Sequence, residues 1–114
     1  MVKKTFPPDK AELIYLDFDP SKGTEQKGKR PALVVTKKAF NKSVGRALMA
    51  PITTTEPKTG FQIKIPEGLQ ISGTIQVDQV AMMDWNARPF EKKGFLPRET
   101  FEKVQDILQA MIEG

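Results

Sequence analysis

A mainly β (α+β) domain, built as a small closed or half-closed barrel with one helix laid against it, is the fold class that the sequence predicts. Three observations predict it. Short runs of alternating or β-branched residues recur between Pro- and Gly-containing breaks over residues 11–95. Only the last stretch of the chain carries apolar residues at helical spacing. The length of 114 residues suits one domain with one real core. No repeat, linker or shift in composition divides the chain, so residues 1–114 read as a single domain of about five to seven strands, short helices and a C-terminal α-helix.

Residues 1–10 read as a frayed or edge-hugging arm, because Pro7-Pro8 resists regular structure. A strand is expected over residues 11–18, with Ile14, Leu16 and Phe18 on one face and Leu13, Tyr15 and Asp17 on the other. A long polar loop follows, then a β-branched strand over residues 31–36. Residues 37–45 suit one short helical turn stopped by Gly45. Residues 47–52 form a compact apolar strand, whose Pro51 implies an edge, a bulge or a strand end. Phe61, Ile63 and Ile65 alternate with Gln62 and Lys64 as in a half-buried strand. Residues 73–80 continue as another strand, residues 82–88 fit a short helix or a turn, and residues 90–95 add a last strand. Pro97 suits a first helical position. Beyond it, Phe101, Val104, Leu108 and Met111, with Ile107 and Ile112 beside them, form an apolar stripe.

Composition narrows the chemistry. The chain has no cysteine, which excludes disulfides and thiolate catalysis, and no histidine, which excludes Ser-His and Cys-His dyads. Both absences argue against a zinc or copper site. Acid–base chemistry near neutral pH is left to carboxylates, lysines, tyrosine or the substrate's own groups. A net charge of +4 and a pI near 9.4 favour a polyanionic partner. Apolar runs are too short to span a membrane, and the first residues carry no secretion signal.

The stretch Asp17-Phe18-Asp19-Pro20-Ser21-Lys22-Gly23-Thr24-Glu25-Gln26-Lys27-Gly28-Lys29-Arg30-Pro31 is the first candidate for the working part. A short turn would join its flanking strands at lower ordering entropy, whereas long polar loops fixed between strands are common places for functional groups. Arg30 precedes a proline, so its backbone is biased to extended geometry at a strand start. Its guanidinium is permanently charged and matches two phosphate oxygens with a planar fork. Taken singly, it also fits a surface arginine covering a strand end. Glu25 suits orienting Arg30 or accepting a proton, and equally suits a solvated acid among basic neighbours. Thr53 offers a hydroxyl to a phosphate oxygen or is simply a strand residue. Asp78-Gln79 lies near a strand end, where it can read bases or pack on the loop. Trp85, with Asn86 and Arg88 after it, is either a stacking platform or part of the core.

Together these residues closely resemble the MazF/PemK family of type II toxin–antitoxin systems. The run from Leu16 to Val35 matches the family signature, and two further blocks follow in order. These are Ala50-Pro51-Ile52-Thr53-Thr54, and Gly73 through Val77-Asp78-Gln79-Val80 to Asp84-Trp85-Asn86-Ala87-Arg88. The likeness covers nearly the whole chain from Glu12 onward. It departs where some relatives carry a histidine before the catalytic arginine, which is Lys29 here. It departs again where the PemK branch has an arginine two before the aspartate, which is Gln76 here. The chain is therefore more similar to the MazF branch.

The resemblance implies an SH3-like barrel that forms homodimers in the bacterial cytoplasm. It implies metal-independent cleavage of single-stranded RNA, often mRNA, at a short sequence, without cofactor, leaving 2′,3′-cyclic phosphate and 5′-hydroxyl ends. It also implies an antitoxin of MazE type that covers the site. By motif the catalytic set falls on Arg30, Thr53 and Glu25. Lys22, Lys27, Lys29, Thr54, Asp78, Gln79 and Arg88 are the candidate RNA contacts. Two other readings stay open at this level: a protein-binding toxin like the gyrase poisons of the CcdB branch, and RNA binding without cleavage.

Overall fold

The computed structural model describes residues 6–17, 29–87 and 89–113. Glu12–Asp17 (β1) and Lys29–Val34 (β2) run antiparallel. Lys38–Val44 (α1) leads to Ala47–Thr53 (β3). The short strands Gln62–Lys64 (β4) and Thr74–Gln76 (β5) follow. A 3₁₀ turn over Val77–Gln79 separates β5 from Ala81–Met83 (β6). Phe90–Phe95 (β7) and the long helix Arg98–Glu113 (α2) complete the fold. The seven strands form one sheet in the order β4-β5-β3-β2-β1-β7, with β6 branching from β3. The expected barrel is not closed. Among the described residues the end strands β4 and β7 do not pair, and the sheet stays open.

Both faces of the sheet are apolar, as the alternation in β1 anticipates. Leu13, Leu33, Ala50, Ile52, Ile75 and Val77 pack with Phe101 and Val104 of α2. Ile14, Leu16, Ala32, Val34, Ala47 and Met49 face the other way and pack with Trp85. Trp85 is thus core rather than an exposed stacking platform, and its indole N–H donates to the Asn41 carbonyl at 3.2 Å. The apolar stripe of α2 is buried at Phe101 and Val104, partly buried at Ile107 and Leu108, and exposed at Met111 and Ile112. Among the described residues no helix is long and apolar enough to cross a membrane.

Three local expectations change, and one open alternative is decided. Of the two expectations for the arm, the edge-hugging one holds at Pro7 and Pro8, which are buried: Asn41 Nδ2 donates to the Pro8 carbonyl at 2.8 Å. Pro51 lies inside the sheet, opposite Ala32. It falls where the other edge of β3 passes from β6, paired through Met49, to β5, paired from Ile52. A residue without an N–H fits that break in the ladder. The strand expected over residues 73–80 stops at Gln76, because the backbone turns at Val77 while Val77 itself still points into the core. The uncertain segment 82–88 opens as strand, since Met82 and Met83 pair with Leu48 and Ala47, and becomes a turn only afterwards.

Candidate functional site

Register brings the two principal candidates together. Ala32 is opposite Pro51, so continuing the antiparallel ladder by two residues sets Arg30 opposite Thr53. Arg30 is also paired with Leu16, and Thr53 with Thr74. Residues in direct register share a face. Arg30 and Thr53 therefore lie on the face turned away from α2, the side of Ala32 and Met49. Arg30 is exposed and Thr53 half-buried. The adjacent row forms an apolar depression of about 120 Å³, lined by Ala32, Met49, Pro51, Gln79, Ala81 and Met83. Gln79 is thereby placed beside the Arg30–Thr53 row, although residue numbers 30, 53 and 79 are far apart in the chain.

The position of Thr53 is set from behind. Gly73 has φ +129°, and a Cβ there would run into the Thr53 carbonyl oxygen. Only glycine combines that dihedral with so close an approach. Thr74, fully buried, donates its hydroxyl to the Thr55 carbonyl at 2.7 Å and pins the turn after β3. Thr55 N–H approaches Thr53 Oγ1 at 3.4 Å, a long contact that leaves the hydroxyl only weakly engaged. Thr54 is exposed on the same turn. Lys64, opposite Thr74, forms an ion pair with Glu56 at 2.8 Å.

The other candidates divide. Asp78 is exposed and accepts from Gln62 Nε2 at 3.2 and 3.4 Å. Lys29 alternates with Arg30 and takes the α2 side of β2, where its ammonium meets Glu91 at 2.9 Å. That ammonium, joined by Lys93 at 3.6 Å, holds the Glu91 carboxyl below its ordinary range. The structure thus separates Lys29 from the Arg30 face. Glu25, Lys22, Lys27 and Arg88 lie outside the described residues. Thr74, Gly73 and Gln62 were not among the candidates from sequence. The alternation of β4 did carry a signal for Gln62, since it puts Gln62 opposite the inward-facing Ile63 and Ile65.

A single seven-stranded sheet backed on one side by one long helix, with an arginine and a threonine on the other face, defines a class of compact open-sheet α+β domains. The chain belongs to the PemK-like, MazF-like toxins of type II toxin–antitoxin systems, whose family model matches residues 9–112. It is similar to the endoribonuclease toxin MazF of Escherichia coli K12, with 35% identity over 92% of this chain and 94% of that protein. It is also similar to the endoribonuclease toxin ChpB of the same strain, with 38% identity over 99% of this chain and 100% of that protein. Among solved structures, a MazE–MazF crystal structure from Deinococcus radiodurans superposes with a TM-score of 0.85 and 29% identity, over 95% of this chain and 98% of that one.

Proposed function

We propose that this chain is a toxin endoribonuclease that cuts single-stranded RNA, mRNA above all, at a short specific sequence and without a metal. The observation that carries the proposal is the β2–β3 register, which, continued two residues past Ala32 and Pro51, sets Arg30 and Thr53 on one open face, in a chain whose relatives are named endoribonucleases. The substrate supplies its own nucleophile. Its 2′-hydroxyl oxygen loses its proton and attacks the adjacent phosphorus, the bond from phosphorus to the 5′-oxygen breaks, and the departing 5′-oxygen takes up a proton, so no net proton is gained or lost. The products are a 2′,3′-cyclic phosphate and a 5′-hydroxyl.

The protein must then hold the phosphate in line and offset the developing charge. Arg30 clamps the phosphate with its fork, and Thr53 donates to a nonbridging oxygen. Glu25 takes the 2′-proton or orients Arg30. Because Lys29 belongs to the opposite face, water at this exposed site is the better source of the leaving-group proton. The bases, splayed from the strand, are read by the turn after β3 and by Asp78 and Gln79, with Lys22, Lys27 and Arg88 contributing attraction. The protein works as a cytoplasmic homodimer, and a MazE-like antitoxin lays an acidic segment over the basic groove.

Steady-state cleavage of a defined single-stranded RNA tests the assignment. Arg30→Ala should lower kcat by roughly a hundredfold or more while the circular dichroism spectrum stays unchanged. Arg30→Lys should recover only a small part, since a point charge cannot reproduce the fork. Wild-type rates from a folded Arg30→Ala protein would remove Arg30 from the mechanism.

A further inference from the structure

The turn after β3 and the 3₁₀ turn carry candidate base readers from separate parts of the chain, and one side chain joins them. Gln62, the first residue of β4, accepts from the Lys58 backbone N–H through Oε1 at 2.9 Å. Its Nε2 donates to Asp78 Oδ1 at 3.2 Å and to Oδ2 at 3.4 Å. The side chain is half-buried, and its Cα is in register with Gln76, two residues before Asp78. Only an amide can accept from a backbone donor at one end and donate to a carboxylate at the other, so its orientation is set by both partners.

We propose that Gln62 is a positioning residue for substrate selection. It clasps loop 54–61 to the Asp78–Gln79 turn, so the two candidate readers move as one surface against the RNA. The proposal rests on the RNA-cleaving reading given above. Without the clasp, Asp78 is free to rotate and Lys58 N–H loses its acceptor, and the loop and the turn sample positions independently. Discrimination between target sequences should suffer, whereas the Arg30–Thr53 row, held by Gly73 and Thr74, should not.

A side-chain swap separates this role from general stability. Gln62→Glu sets a carboxylate against Asp78 and breaks the clasp by repulsion. Asp78→Asn alone keeps it, since Gln62 can still donate to the new amide oxygen. The double variant Gln62→Glu/Asp78→Asn rebuilds it with reversed polarity, the amide now at position 78 donating to the carboxylate at position 62. Wild type and the three variants are given one mixed single-stranded RNA, and every cut is mapped. In parallel, tryptic cleavage after Lys58 is timed on the free proteins.

The expected result is a roughly three- to tenfold loss of preference for the best site in Gln62→Glu, the scale of one or two hydrogen bonds. Its kcat at that site should stay within about twofold, and Lys58 should be cut faster. The double variant should return to the preference of Asp78→Asn and to the wild-type tryptic rate. Unaltered preference in Gln62→Glu, or a double variant no better than it, overturns the proposal alone. RNA left whole by the wild type overturns the enzymatic reading and the proposal together.

Discussion

Gly73 shows how one residue without a side chain fixes the backbone of a proposed site residue, Thr53. Its φ of +129° and its contact with the Thr53 carbonyl leave no room for a Cβ. Gly73→Ala should cost roughly 2 kcal/mol or more, from backbone strain and the displaced strand end, read as a lower urea midpoint. It should also lower cleavage more than that loss of folded protein explains, because Thr53 moves with its carbonyl. At Glu91 the effect is electrostatic. The Lys29 hydrogen bond stabilises the charged carboxylate, so Lys29→Ala should move the Glu91 titration, followed by NMR, upward toward the ordinary carboxylate range. The native interaction favours folding above the unfolded-state carboxylate pKa and is lost as pH falls through the lowered one. The pair is exposed, so screening keeps its effect on stability small.

At the scale of elements, α1 is a clasp made around a buried asparagine. Asn41 is fully buried, donates to the carbonyls of Pro8 and Thr36 at 2.8 Å, and accepts from the Thr36 hydroxyl at 2.6 Å. Its carbonyl also receives the Trp85 indole N–H. The arm before β1, the end of β2 and the turn after β6 thus meet on one side chain and its backbone. Asp9 adds to this by accepting from the Lys38 N–H at 2.9 Å. Asn41→Ala strands the Pro8 and Thr36 carbonyls and the Thr36 hydroxyl and should lower unfolding free energy by roughly 2–4 kcal/mol, with tryptophan fluorescence reporting the loosened packing around Trp85. The hydrogen-bond partners were not visible in the sequence, where residues 37–45 read only as a helical turn and residues 1–10 as a frayed or edge-hugging arm. The partners of a buried amide are chosen by tertiary placement, and local propensity carries no trace of them.

For the whole molecule, what could be read beforehand was what depends on period and punctuation. The alternation of β1, the Gly45 stop of α1 and the Phe101–Val104 stripe of α2 all appear where spacing put them. The turn at Val77 hid because the in–out pattern of Ile75 and Val77 continues through it, even though the ladder does not. The exchange of partners at Pro51 hid for a related reason, since a proline marks a missing bond but not which strand is missing. Arg30 and Thr53 were named from motif. Their shared face came from register, and so did the separation of Lys29 from them. The central claim is that this face performs transesterification with the RNA's own hydroxyl. Fragment ends produced by the wild-type protein from a mixed single-stranded RNA in excess EDTA test it most directly. Cuts at one recurring short sequence, each with a 2′,3′-cyclic phosphate upstream and a 5′-hydroxyl downstream, are the predicted result. Fragments with 5′-phosphate and 3′-hydroxyl ends, or cleavage that appears only when a divalent metal is restored, would contradict it.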